Sequence, residues 1–280
     1  MSSVRKAKHG WVLTLLFSIL SIIYVMPILI VLMNSFKRKI FISNRPFSMP
    51  DAKSFVELEN YVSGMQKIDF VHSFCYSLFI TVGSVALIVL CTSMCAWYIT
   101  RVKNKITSGM YYLFAFSMIV PFQMVMFTLS KITDILHLGN PVGIIIVYLG
   151  FGAGLAVFMF CGFVKSIPLE IEESAMIDGC NPMQTYFKIV FPVMKPTAIS
   201  VAILEAMWVW NDYLLPYLVL DIKKYKTIPI AIQYLKGGYG AIDMGAMMAM
   251  IVLAIIPIII FYIACQKYII EGVVAGAVKG

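Results

Sequence analysis

Charge is what this sequence has least of. Lys and Arg number 22 and Asp and Glu 14 among 280 residues, so charged residues make up 13%, about half of the roughly 25% usual in soluble domains. A water-facing surface cannot be built from so few charges. Disorder is excluded for the opposite reason, because 61% of the residues are hydrophobic and disordered chains are poor in such residues. Metal chemistry lacks its raw material. The three histidines (His9, His72, His137) lie far apart, and no C-x2-C pair occurs among Cys75, Cys91, Cys95, Cys161, Cys180 and Cys265. Cys91 and Cys95 stand one helical turn apart inside an apolar run, which reads as two small packing residues rather than a metal or redox site. A G-x4-G-K-[ST] phosphate loop is missing too. The nearest piece, Val164-Lys165-Ser166, has no glycine before its lysine, so the nest of N–H groups that cradles phosphate is absent.

What the chain does have is long apolar runs. A helix needs about 20 apolar residues to cross the hydrocarbon core, and six stretches qualify: 11–33, 74–100, 108–130, 141–164, 196–219 and 244–266. The first is too long for a signal peptide, and no small-x-small cleavage site follows it. The expectation is an all-α polytopic membrane protein, one transmembrane domain over 1–280 with six helices. Glu205 and Asp212 are the acidic residues deep in a span, and no Lys or Arg is. The net charge of +8 sits in short clusters between the runs, which points to anionic lipid rather than nucleic acid. The positive-inside rule should orient the spans. Eleven Lys and Arg fall on the side of the termini and eleven on the other. The count is a tie.

The loop from 165 to 195 has its own grammar: KSIPLEIEESAMIDGCNPMQTYFKIVFPVMK. Pro168 suits the first turn of a helix, and Glu170, Glu172 and Glu173 follow where the helix dipole favours anions. Gly179 can end that helix in the left-handed conformation. Asn181 then caps a second helix, with Pro182 at its first position and Gln184 completing a capping box. This second helix is expected over 183–191, stopping at Pro192. Two short helices hinged at a glycine fit an interfacial pair lying on lipid or a docking knob for a soluble partner. Interfacial helices are usually basic, and this first half is acidic, so its charge favours the docking knob.

Glu173-Ser174-Ala175, three residues, Gly179, nine residues and Ile189-Val190-Phe191-Pro192 resemble the EAA–x3–G–x9–I–x–LP loop of ABC importer permeases. Serine replaces the middle alanine and phenylalanine the leucine. Further pieces follow in order: Asn34-Ser35-Phe36-Lys37, Ala96-Trp97-Tyr98-Ile99-Thr100-Arg101, Val120-Pro121-Phe122-Gln123, Trp210-Asn211 with Pro216, and Gly276-Ala277-Val278-Lys279-Gly280. The Trp-Asn pair and the GAVKG ending resemble the carbohydrate branch, in particular the maltose permease G subunit family.

That resemblance implies a non-catalytic subunit forming half of the path for a sugar, specifically an oligosaccharide. Loop 165–195 would be the coupling helix seated in a cleft of a cytoplasmic ATPase, with Glu172, Glu173, Ser174, Ala175, Asp178, Gly179, Ile189 and Pro192 as coupling residues. It also implies both termini in the cytoplasm of a bacterial-type plasma membrane, with 34–71, 131–140 and 221–243 outside. Its partners would be a second homologous permease, two ABC ATPase subunits that bind ATP and Mg, an extracytoplasmic solute-binding protein, the sugar and lipid, but no nucleic acid. This chain would hold no cofactor of its own. For the solute path the residues themselves point to span five, since ionisable groups inside a membrane normally face a cavity or a partner. Glu205, Trp208, Trp210, Asn211, Asp212 and Tyr213 combine aromatic platforms with amide and carboxylate acceptors that suit a sugar, or form an ordinary interface belt. Gly150–Gly154 offers a small-xxx-small spacing for helix packing, Gly237–Gly240 a flexible tip, and the GAVKG tail a contact to the ATPase or a frayed end. A permease for another solute, or a secondary carrier working alone, remains the alternative.

Overall fold

A computed structural model describes residues 10–236 and 242–277, with side chains as far as Tyr268. The Gly237–Gly240 tip and the last three residues of the GAVKG tail lie outside the described residues. Every regular element among the described residues is helical: α1 (Gly10–Asn34), α2 (Lys39–Asn44), α3 (Glu59–Lys67), α4 (Phe70–Arg101), α5 (Lys105–Ser117), α6 (Phe122–Ile135), α7 (Pro141–Val164), α8 (Leu169–Ile177), α9 (Pro182–Thr185), a π-helical turn at Tyr186–Val190, α10 (Phe191–Val193), α11 (Lys195–Asn211), α12 (Leu214–Val219), α13 (Ile228–Gln233) and α14 (Met244–Ala277). Among the described residues, four helices are long and apolar enough to cross a membrane alone, and six spans result if each of two bent pairs is one span. The chain is an all-α polytopic membrane protein.

Two of the six continuous spans expected from the sequence are broken. Span three, expected over 108–130, is α5 and α6 set at 106°. The chain leaves α5 at Ser117, and Pro121 takes an extended ψ of 136° as N-cap of α6. Proline has no N–H with which to continue α5. Span five, expected over 196–219, is interrupted after Asn211. Asp212 is extended there, with ψ 126°, and its Oδ1 accepts the N–H of Leu214 at 3.0 Å and that of Leu215 at 3.4 Å. The carboxylate satisfies the orphaned donors that a new helix start creates. Pro27 and Pro257, by contrast, stay inside α1 and α14.

Two compact units are present. One comprises Met1–Phe70 with Ile232–Pro257, the other Val71–Ala231 with Ile258–Gly280. In the first, the segment after α1 is pinned by its own polar residues. The Asn34 side chain donates to the Ile30 and Pro46 carbonyls, both at 2.8 Å, and Asn60 donates to those of Ser35 and Lys37 at 2.7 and 2.9 Å. Lys37 is buried, its ammonium on the Arg45 carbonyl at 3.1 Å. Burial lowers its pKa, and the Asp51 charge partly offsets that.

The second unit is organised around α7, which Asn140 caps by accepting from the N–H groups of Val142 and Gly143. Ile144, Tyr148, Ala156, Val157, Phe160 and Val164 are fully buried along α7. They join two cores: one with Ile88, Ala96, Tyr186, Val190, Met194 and Val201, the other with Ile80, Val209, Leu215 and Val219. In a membrane such helices are held by close packing, because the lipid tails around them are as apolar as leucine. Besides Gly143 at its start, α7 is closely approached at Gly152 and Gly154. A Cβ on Gly154 would come within 2.7 Å of Ser117 Oγ, while one on Gly150 would meet nothing within 4 Å. The small-xxx-small reading thus holds at one of its two ends.

Candidate functional site

The loop between α7 and α11 forms two helical arms joined at a glycine. Pro168 stands just before the first arm as its N-cap, and α8 begins at Leu169. Gly179 lies in the left-handed region at φ +84°. The chain closes there as a Schellman motif: the Cys180 N–H donates to the Ala175 carbonyl at 2.9 Å, and the Gly179 N–H to that of Met176 at 3.0 Å. The second arm starts with the expected capping box. Asn181 Oδ1 accepts the Gln184 N–H, and Gln184 Oε1 accepts the Asn181 N–H, both at 2.9 Å. This arm does not stop at Pro192. A π turn over Tyr186–Val190 intervenes, with the Phe191 N–H donating to the Tyr186 carbonyl. The register shifts, and Pro192 sits in the first turn of α10, where it needs no N–H. The arm then runs to Val193 and turns by 76° into α11.

Which acids point where was not legible in the loop. Glu172 is 1% exposed, and its Oε1 accepts from Arg101 Nη2 at 2.7 Å and Nε at 2.9 Å. Its Oε2 accepts from Trp97 Nε1 at 2.9 Å. Arg101 Nη2 also donates to the Ile167 carbonyl at 2.9 Å, just ahead of α8. Glu172 therefore faces into the subunit, and removing one partner of so buried a pair costs about 3–5 kcal/mol. Ala175 is buried beside it. Glu173, Ser174, Asp178 and Gly179 are exposed, Ile189 is half-buried and Pro192 exposed. The outer face is apolar at its crest: Ile177 is 85% exposed, flanked by exposed Met176 and Met183.

The second arm is held by Tyr186, which is fully buried. Its hydroxyl lies 2.6 Å from Ser93 Oγ. Ser93 already donates to the Val89 carbonyl, so the tyrosine O–H is the donor. The Tyr186 ring also packs on Trp97 with centroids 5.6 Å apart. Arg101 and Trp97 entered the sequence reading only through a resemblance, and Ser93 and Tyr186 not at all. Their signal was there: Ser93, Trp97 and Arg101 recur every four residues at the end of an apolar run.

The six span-five residues do not converge on one site. Glu205 is 2% exposed, its Oε2 has no hydrogen-bond partner, and a Cβ on Gly152 of α7 would lie 2.9 Å from that oxygen. About 10 Å further along at 1.5 Å per residue, Asp212 Oδ2 accepts from the Tyr148 hydroxyl at 3.1 Å, and Tyr148 meets Trp208 edge-on at 5.4 Å. Trp210 is buried against Phe74. Trp208 and Asn211 remain exposed, and Tyr213 stacks on Tyr217 at 5.2 Å. Beyond these, a groove of about 810 Å³ lies between 127–140 and 218–225, at the opposite end of α7 from the two helical arms. Lys131, Asp134, His137, Asn140, Lys224 and Tyr225 are among the residues lining it.

A family model described as the inner membrane component of binding-protein-dependent transport systems matches residues 88–274, which takes in α7, both arms of the loop and α11. The chain belongs to this family. As a transport permease it is 38% identical over 269 residues to the "Probable starch degradation products transport system permease protein AmyC" of Thermoanaerobacterium thermosulfurigenes, covering 96% of this chain and 97% of that one. It is 34% identical to the multiple sugar-binding transport system permease protein MsmG of Streptococcus mutans over the full length of both. The permease fold is also that of a chain in the crystal structure of a bacterial ABC transporter that imports the acidic polysaccharide alginate: TM-score 0.77, 24% identity, 96% of this chain and 99% of that one. The family indicated by the EAA-like loop is thus the family of the chain, a multi-pass membrane permease.

Proposed function

We propose that this permease forms half of the translocation path of an ATP-driven importer for an oligosaccharide, and that the loop after α7 seats in a cleft of a cytoplasmic ATPase. The observation that carries the reading is the division of the loop into two faces. Glu172, Ala175 and Tyr186 are turned inward, the acid and the tyrosine hydrogen-bonded there, while Ile177, Met176 and Met183 stand out as an apolar crest edged by Glu173 and Asp178. A crest of that kind is a docking surface rather than a lipid anchor, because its acids would be repelled by an anionic bilayer.

With the loop in the cytoplasm, both termini lie inside and the 34–71, 131–140 and 221–243 segments outside. Two ATPase subunits bind ATP and Mg, this chain binds neither, and closure of the ATPase pair drives the two permeases from inward-open to outward-open. The second permease and a solute-binding protein complete the assembly. Relatives named for starch degradation products and for multiple sugars support a saccharide as cargo, and Trp208 and Asn211 are the two of the six span-five candidates that are exposed.

The test is ATP hydrolysis by the reconstituted assembly: this chain with its co-purifying membrane partner, an ATPase and the binding protein. Sugar-loaded binding protein should stimulate hydrolysis, and Glu173→Ala should abolish the stimulation. Solute uptake by vesicles holding this chain and no ATPase would overturn the proposal in favour of a secondary carrier.

A further inference from the structure

Ser93, Trp97 and Arg101 lie at i, i+4 and i+8 of α4, so they form a single stripe on one helix face. That stripe grips both arms of the coupling loop. Arg101 and Trp97 hold Glu172 of the first arm, and Arg101 also holds the Ile167 carbonyl before it. Ser93 and the Trp97 ring hold Tyr186 of the second arm. Every one of these contacts is inside the subunit, on the side away from the exposed crest. The arms are joined to each other through the turn at Gly179 and Cys180, yet both are fastened to the same helix.

The opposite end of α4 is fastened as well. Ser77 Oγ accepts the backbone N–H of Ile228 at 2.8 Å in a buried contact, and Tyr76 meets Tyr225 edge-on with centroids 5.5 Å apart. From Ser77 to Arg101 the helix is continuous, and at 1.5 Å per residue that is about 36 Å, enough to cross the membrane.

We infer that α4 is the lever of this permease: the Ser93–Trp97–Arg101 stripe converts movement of the coupling loop into movement of α4, and Ser77 delivers it to the segment around Ile228 on the other side. For the loop to move without α4, a buried ion pair would have to separate and a buried tyrosine hydroxyl would lose its partner. Both leave groups uncompensated in a low-dielectric setting, so the loop and the helix move together. Glu172 then acts within the permease, and Arg101, Trp97 and Ser93 are positioning residues that never touch the ATPase. The inference rests on the docking reading above.

Two measurements test it, both on the reconstituted assembly. The first is solute moved per ATP hydrolysed for the double variant Arg101→Met/Glu172→Leu, which removes both charges and so leaves none unpaired. The ratio should fall at least about threefold, as coupling residues remote from ligands can require, while basal hydrolysis persists; a smaller fall overturns the lever. The second leaves the clamp intact. In a background lacking the six native cysteines, spin labels at Ile177→Cys on the crest and Val82→Cys on α4, both exposed, should keep one separation in nucleotide-free and ATP-trapped states. A shift larger than the width of the distance distribution overturns the lever even if the double variant fails to assemble. Mobility of the label at 177 separates this from the docking reading. If ATPase addition leaves that label mobile, the docking reading fails, and the interspin distance still reports on the clamp.

Discussion

At Gly179 the backbone sits at φ +84°, and a Cβ built there would meet no heavy atom within 4 Å. Within this chain, substitution therefore perturbs conformation and not packing, which makes the position a clean probe of the turn. A side chain in the left-handed region costs roughly 1–2 kcal/mol, a factor of about 5–30 in the equilibrium between the seated turn and its opened alternatives. Asparagine tolerates that region better than alanine, and a β-branched residue worse. The expected order of loop integrity is Gly179, then Gly179→Asn, Gly179→Ala and Gly179→Val. Hydrogen exchange reads it directly, because the Cys180 amide is protected only while it donates to the Ala175 carbonyl. Its exchange in the purified assembly should speed up by about 5–30-fold in Gly179→Ala, and sugar-stimulated ATP hydrolysis should fall in the same order across the series. If Gly179→Val exchanges and couples like the parent protein, the geometry of the turn is irrelevant to coupling and the reasoning fails.

Two further predictions come from other parts of the molecule. Glu205 has no partner on Oε2 and stands against Gly152, so Glu205→Gln, of equal shape, should leave the thermal midpoint of the detergent-solubilised assembly unchanged or raised. Gly152→Ala should lower it by the equivalent of about 1–3 kcal/mol from overpacking, since its Cβ would fall 2.6 Å from Ile88 Cδ1. Equal midpoints for the two variants would contradict this packing. At Asp243, burial pushes the carboxyl pKa up, but hydrogen bonds from Lys67 and from the Ala246 N–H and the nearby Lys67 and Lys39 charges outweigh it, and the net value lies below the ordinary 3.8. A carboxylate depressed on folding contributes stability that is present above its unfolded pKa and lost as pH falls through the folded one. Asp243→Asn should therefore remove a component of acid destabilisation that sets in below about pH 4, visible as a flatter midpoint-against-pH curve. An unchanged curve would show that the pair contributes nothing.

Much of the coupling loop is local physics and was readable as such. Gly179, Asn181, Pro182 and Gln184 specify a left-handed stop and a capping box through atoms a few residues apart, and the folded chain has both. The long apolar runs likewise became helices, because the hydrocarbon core leaves a spanning segment no other way to satisfy its backbone. Local pattern failed where a neighbour distant in sequence decided the outcome. The π turn that carries Pro192 past the expected stop sits where Tyr186 is drawn into the core against Ser93 and Trp97. Asp212 is engaged by Tyr148 and by the helix start after the break, partners that its place in an apolar run did not reveal.

The clearest division runs between Glu172 and Glu173. Successive residues on a helix point about 100° apart, so these two acids face different surroundings, and either could be the inward one as far as the run of acids after Pro168 shows. The sequence by itself determined that a short acidic helix would stand there and end at Gly179. Only the tertiary structure decided which glutamate is structural and which is displayed, because the deciding charge is Arg101, brought from the end of another span onto Glu172 at 2.7 Å.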